Sequence, residues 1–164
     1  MESFWSIKCK RKINSTPEKL WNLISKPGYL NLVHPYCKES TIKSWKKNDH
    51  RDILIYLNGL KYERHFNKWE EKKGYSLMIG KKNGKKSHVK WKISSYNNET
   101  FLTIIVSPYL LSNWPKLISF IPYLLYIKTI LKKYLNSVIG GIDWYLINNK
   151  TIPKNYFGKH LWFS

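Results

Sequence analysis

The chain has 164 residues and a formal net charge of +19, from 29 Lys and Arg against 10 Asp and Glu, with 43% hydrophobic and 16% aromatic residues. Its length suits one domain, and its apolar content excludes a disordered chain, which combines high charge with low hydrophobicity. Two cysteines, Cys9 and Cys37, are too few for a disulfide framework and stand at no metal-ligand spacing, so they read as free thiols of a reducing compartment.

In chain order, the alternation from Phe4 to Ile13 predicts a strand that ends at Asn14-Ser15-Thr16-Pro17. Thr16 is suited to cap a helix, Pro17 to its first turn, and Glu18 to its positive end. Leu20, Trp21, Leu23 and Ile24 form a helical stripe, broken at Lys26-Pro27-Gly28. A second short helix is predicted over Tyr29 to Val33, ended by His34-Pro35. The start of the chain has no apolar run of signal-peptide length, so a cytoplasmic protein is expected.

From there to Ser107 the pattern is strand and turn. Glu39–Trp45, Asp52–Leu57, Leu60–Trp69, Tyr75–Ile79, Ser87–Ser94 and Phe101–Ser107 are predicted strands. They are separated by Lys47-Asn48-Asp49-His50, Asn58-Gly59, Lys72-Lys73-Gly74, Asn83-Gly84 and Asn97-Asn98. Asn-Gly between alternating apolar runs is a strong hairpin signal. With the first strand this makes seven, the last six forming an antiparallel meander.

Leu117–Ile147 is strongly apolar, but its longest uncharged piece, Leu117 to Ile127, contains Pro122 and falls short of the about 20 residues of a membrane span. A long helix from near Pro122 is predicted instead. Ile127, Leu131, Tyr134, Val138, Gly141, Ile142 and Tyr145 step along one stripe of it. Gly140-Gly141 costs such a helix about 1 kcal/mol per glycine, which implies a bend or a close approach to the sheet. Leu110–Leu125, with Trp114 and two prolines, reads as a flap over a cavity, a membrane contact or core. The tail, 149–164, is too aromatic for a free end and is expected to pack back.

This order resembles the SRPBCC superfamily, the START-related group that contains the birch-pollen allergens and polyketide cyclases. The matching residues are Thr16-Pro17-Glu18-Lys19-Leu20-Trp21-Asn22-Leu23-Ile24-Ser25, Pro27-Gly28 and His34-Pro35. Asn58-Gly59-Leu60 with Arg64, Phe66 and Trp69, then Gly74-Tyr75, continue the likeness. It closes with Tyr134-Leu135-Asn136-Ser137-Val138 and the ending from Phe157-Gly158 through His160 to Trp162-Phe163-Ser164. The resemblance implies an α+β helix-grip fold over residues 1–164. A curved seven-stranded antiparallel sheet would wrap a long C-terminal helix, with two short helices between strands 1 and 2. It also implies an apolar cavity of the kind in which members bind lipids, sterols, hormones or polyketides, and in which a few catalyse cyclisation or dehydration. No shared catalytic signature carries over.

Strand parity supplies the candidates. Leu60, Tyr62, Arg64 and Phe66 share one face, with Lys61, Glu63, His65 and Asn67 on the other. Arg64 among aromatics must meet a ligand, or an internal partner such as Asp52 or Glu63. Ser87, Val89, Trp91 and Ile93 form a second inward set, opposite His88, Lys90 and Lys92. Asp52, Leu54, Tyr56 and Asn58 alternate with Ile53, Ile55 and Leu57, and their parity is undecided. The candidate ligand-binding residues are Tyr62, Arg64, Phe66, Tyr75, Leu77, Trp91, Tyr134 and Val138, with Tyr145 a further residue that could face the cavity. His34 and Arg64 are the candidates for chemistry, His34 as a general base or, as is commoner, a helix-end cap.

No HExxH, GxSxG or phosphate-loop pattern occurs, which argues against metal hydrolases, serine hydrolases and nucleotide-phosphate enzymes, and no metal or cofactor is expected. The positive charge is nearly all lysine. Arg11, Arg51 and Arg64 are the only arginines, and AT-rich codons account for lysine without a ligand. The lysines are dispersed, with local knots at Lys43-Ser44-Trp45-Lys46-Lys47 and Lys81-Lys82-Asn83-Gly84-Lys85-Lys86, the second flanking an Asn83-Gly84 turn where solvated lysines are ordinary. Nucleic acid is therefore disfavoured as a partner. The expected activity is binding or transport of a small hydrophobic ligand such as a lipid, isoprenoid or polyketide. A cyclase or dehydratase in the same cavity is the alternative, and electrostatic docking to anionic membrane or nucleic acid the third reading.

Overall fold

Turn chemistry dictates the sheet. In the computed structural model, which describes residues 6–109 and 121–164, with side chains of the last helix from 124 onward, seven strands follow one another in antiparallel pairs. They are β1 (Ile7–Ile13), β2 (Cys37–Lys46), β3 (Asp49–Tyr56), β4 (Lys61–Glu70), β5 (Gly74–Gly80), β6 (Lys86–Tyr96) and β7 (Glu99–Ser107). Their order is β1-β7-β6-β5-β4-β3-β2, so β1 closes against the last strand of the meander. Asn97 and Asn98 both take the left-handed conformation, at φ 48 and 61, which suits the mirror-image turn of a two-residue hairpin. Gly59, at φ 86, serves the β3–β4 turn, where the Tyr56 N–H donates to the Leu60 carbonyl at 2.9 Å.

Between β1 and β2 lie α1 (Pro17–Ile24) and α2 (Leu30–Val33). The Thr16 hydroxyl accepts from the Lys19 N–H at 3.3 Å, and Leu20, Trp21, Leu23 and Ile24 are the buried face of α1. The long helix α3 (Ile121–Asn148) lies across the sheet, burying Ile127, Leu135, Val138, Ile139 and Ile142. Its middle is pinned to β1 by polar side chains. Arg11 Nη1 donates to the Asn136 carbonyl at 2.8 Å, and the Asp143 carboxylate accepts from Asn14 N–H and Nδ2 at 2.7 and 2.9 Å. No helix among the described residues is long and apolar enough to cross a membrane.

Register decides what parity left open. Asp52 pairs with Arg64 and Leu54 with Tyr62, so Asp52, Leu54 and Tyr56 are the buried face of β3 while Ile53 and Ile55 are only partly covered. A bulge between Phe66 and Lys68 then shifts β4 by one residue and turns Trp69 inward onto Tyr75, with ring centroids 5.3 Å apart. On β6, Val89, Trp91 and Ile93 are buried, with His88, Lys90 and Lys92 on the opposite face.

The glycine pair in α3 permits close approach, chiefly to α2 and the C-terminal tail rather than to the sheet. A Cβ on Gly141 would stand 2.0 Å from the Val33 carbonyl oxygen, whereas one on Gly140 would meet side-chain ends, Phe157 Cζ at 2.8 Å and Arg11 Nη1 at 3.0 Å. Of the predicted Leu110–Leu125 segment, residues 110–120 lie outside the described residues; beyond them Leu124 is buried and Leu125 exposed. The tail is tied to α2 by Ile152 N–H on the Leu32 carbonyl and Asn155 N–H on the Pro35 carbonyl, both at 2.9 Å, and it buries Ile152, His160 and Phe163.

Backbone cannot yield as a side chain can. Gly141→Ala is therefore expected to lower unfolding free energy by about 2–4 kcal/mol in urea melts, and Gly140→Ala by less than about 1 kcal/mol.

Candidate functional site

The concave face of the sheet and α3 do not meet everywhere. Between them lies a cavity of about 150 Å³. Leu54, Tyr56, Tyr62 and Arg64 wall it from β3 and β4, and Leu77, Val89, Trp91 and Ile104 from β5, β6 and β7. Leu30 and His34 close it at α2, and Leu131, Tyr134, Leu135 and Val138 along α3. Trp162 and Phe163 of the tail also line it, as do Ser87 at the start of β6 and Tyr109 just after β7.

Six of the eight residues chosen by parity and helical stripe thus face the cavity: Tyr62, Arg64, Leu77, Trp91, Tyr134 and Val138. Phe66 and Tyr75 do not. They form a layer behind it, Phe66 edge-on to Tyr75 at 5.0 Å, with Tyr75 stacked on Trp91 at 5.5 Å. Tyr145 packs partly buried against the core without lining the cavity. Parity could not find Tyr56, since both faces of its strand are partly apolar, nor the tail residues, since nothing in their local pattern says where the tail lands.

Two polar clusters interrupt the apolar wall. The first centres on Arg64, only 4% exposed, whose Nε and Nη2 donate to the two oxygens of Asp52 at 2.7 and 2.6 Å. Its Nη1 donates to the Tyr29 hydroxyl at 3.2 Å, and that hydroxyl shares a hydrogen bond with Tyr75 at 2.7 Å. Burial opposes the guanidinium's charge, but Asp52 outweighs it, so Arg64 stays ionised with its pKa raised well above the usual value. The bidentate pair cancels the only formal charge among the described lining residues.

The second cluster centres on His34, 2% exposed. Its ring caps no carbonyl of α2. Nδ1 accepts the Tyr36 N–H at 3.2 Å, and Nε2 lies 2.8 Å from the Tyr134 hydroxyl, itself 3.1 Å from that of Tyr56. Burial, with Arg64 and Lys154 nearby, brings the His34 pKa down to about 3, so the ring is neutral at physiological pH. A neutral ring that accepts at Nδ1 must carry its hydrogen on Nε2 and donate to Tyr134. Such a ring has no lone pair left with which to act as a base.

The thiols add no nucleophile. Burial raises the Cys9 pKa and pushes that of Cys37 up to about 11. Among the described residues no group of three or more His, Cys, Asp or Glu side chains could hold a metal ion.

No protein-family model matches the sequence, and no curated protein is similar to it. Solved structures do match the fold. MLL2253 from Mesorhizobium loti superposes with a TM-score of 0.65 at 15% identity, over 88% of this chain and 98% of its own. Ara h 8.0201 gives a TM-score of 0.65 at 13% identity, over 88% and 98%. The fold is the helix-grip fold. DynU16, a protein of the dynemicin biosynthetic locus, shares it with a TM-score of 0.64 at 13% identity; 89% of this chain is covered, but the match spans only 48% of DynU16. The helix-grip architecture implied by the START-related resemblance is therefore the architecture of this chain, and at such identities the likeness speaks for fold alone.

Two measurements test the clusters. Asp52→Ala leaves a buried guanidinium unpaired and is expected to lower stability by about 3–5 kcal/mol in urea titration. Between pH 6.5 and about 3 the unfolded chain takes up a proton at His34 that the folded chain refuses. Stability should therefore decrease as pH is lowered through that window, and His34→Gln should remove about 1.4 kcal/mol per pH unit from the slope measured between pH 5.5 and 4.

Proposed function

We propose that the protein binds a small, uncharged, mainly apolar molecule in this cavity, as a carrier or receptor rather than as an enzyme. One observation carries the reading: the wall is apolar and aromatic, and its single formal charge is cancelled from within by Asp52. Such a lining favours neutral apolar guests and penalises ions. About 150 Å³ suits one ring or a short chain, since cavities of that size hold benzene and drug-sized pockets start at about 300 Å³. A whole lipid, isoprenoid or polyketide would need a wider cavity than this one.

A cyclase or dehydratase is less well supported. Arg64 has Nε and Nη2 on Asp52 and Nη1 on Tyr29, and His34 is neutral with both ring nitrogens engaged. Neither is poised to polarise an enolate or remove a proton. The free, buried thiols of Cys9 and Cys37 support a reducing, cytoplasmic setting. The exposed Lys8, Lys10 and Lys92 would favour a salt-sensitive approach to anionic membrane, which serves delivery of an apolar cargo.

The test is thermal unfolding with and without saturating ethylbenzene, together with native mass spectrometry of the purified protein for a retained guest. A melting-temperature rise of about 5–10 °C is expected, and Val138→Phe, which fills the cavity, should abolish it. No rise with the native protein, or an undiminished rise in Val138→Phe, would overturn the reading.

A further inference from the structure

The His34 cluster can be read hydrogen by hydrogen. Because Nδ1 accepts the Tyr36 N–H, the ring's own hydrogen sits on Nε2 and points to the Tyr134 oxygen, 2.8 Å away. Tyr134 and Tyr56 then share one contact, 3.1 Å between hydroxyl oxygens. Three X–H groups thus serve two contacts. Whichever tyrosine donates to the other, one hydroxyl hydrogen is left over, and both tyrosines line the cavity. No other hydrogen bond engages either hydroxyl among the described residues.

Aromatic rings pack around both hydroxyls, with Tyr56 fully buried and Tyr134 partly so. Tyr56 is 1% exposed and stacks on Phe163 at 4.3 Å, and Tyr134 lies between Tyr36 at 6.0 Å and Phe163 at 4.6 Å. Burial raises the pKa of both phenols, so the hydrogen is present across the physiological range. A buried donor without an acceptor is more costly than a spare lone pair, which makes this point of the wall specific for an oxygen acceptor. Leu54, Leu77, Val89, Ile104 and Val138 offer nothing polar, while Tyr62, Ser87, Tyr109 and Trp162 bring the wall's remaining polar groups.

We propose that the cavity selects ligands bearing a neutral carbonyl oxygen on an otherwise apolar body, the carbonyl accepting the leftover hydroxyl hydrogen of the Tyr56–Tyr134 pair. This rests on the reading of the cavity as a binding site and adds the chemistry of the guest. His34 acts as a positioning residue, since its Nε2 hydrogen commits the Tyr134 lone pair and turns the pair's remaining hydrogen toward the cavity.

Acetophenone and ethylbenzene, alike in shape, test it by calorimetry and by infrared spectroscopy of acetophenone labelled with carbon-13 at the carbonyl. Bound to the native protein, the carbonyl band should lie below its position in hexane. In the Tyr56→Phe/Tyr134→Phe double variant it should return to the hexane position, and the preference for acetophenone over ethylbenzene should fall by about three- to tenfold. A band at the hexane position in the native protein overturns the proposal, as does one that stays lowered in the double variant, which would put the carbonyl on another donor of the wall, such as the Tyr62 or Ser87 hydroxyl. If the double variant does not fold, the native band alone decides. Binding of ethylbenzene with an unshifted acetophenone carbonyl refutes the carbonyl inference only, whereas failure of both probes to bind refutes the cavity reading as well.

Discussion

A guanidinium inside an apolar sheet-and-helix sandwich is tolerable only if its charge is met at close range, and in this protein Asp52 meets that of Arg64 with two parallel hydrogen bonds. The pair joins neighbouring strands directly opposite one another, so it locks the β3–β4 register from inside. It also reaches out of the sheet. Tyr29, just before α2, accepts from Arg64 and bonds to Tyr75 of β5, which ties the helical segment to the sheet. The guanidinium lies 5.2 Å from the Phe66 ring and 5.5 Å from that of Tyr29, so aromatic faces complete its surroundings.

This arrangement decides the electrostatic character of the interior. With Arg64 neutralised and His34 held neutral, the described cavity wall presents no net charge to a guest, although the chain as a whole carries +19. Many of the described lysines stand on turns and on outward strand positions, among them Lys8, Lys10 and Lys92, all exposed. Charge is therefore a property of the exterior, and aromatic packing a property of the interior.

The grip itself is set by backbone. Gly141 brings α3 against the Val33 carbonyl, and Arg11, Asn14 and Asp143 hold the same helix to β1. A helix seated so closely leaves room for a cavity only where the sheet curves away, and the tail narrows that room further by stacking Phe163 on Tyr56 and on His160.

Much of this was legible in the sequence. Turn residues and alternation are short-range signals, so Asn58-Gly59, Asn83-Gly84 and Asn97-Asn98 marked the hairpins, Thr16-Pro17 the start of α1, and the β6 pattern its buried face. They were enough for the helix-grip order and for six residues of the cavity wall. Local pattern could not say which face of β3 turns inward, because Leu54 and Tyr56 alternate with equally apolar Ile53 and Ile55; that depends on pairing with β4. Nor could it foresee the one-residue bulge after Phe66, which brings Trp69 over Tyr75, or that Phe66 and Tyr75 stand behind the wall. The polar clusters lay furthest from reach, for His34 and Tyr134 are 100 residues apart and Tyr56 and Tyr134 are 78 apart. Periodicity and turn chemistry act over a few residues and so determine the elements, whereas hydrogen bonds between distant side chains exist only once the elements are packed, and so only the tertiary structure decides them.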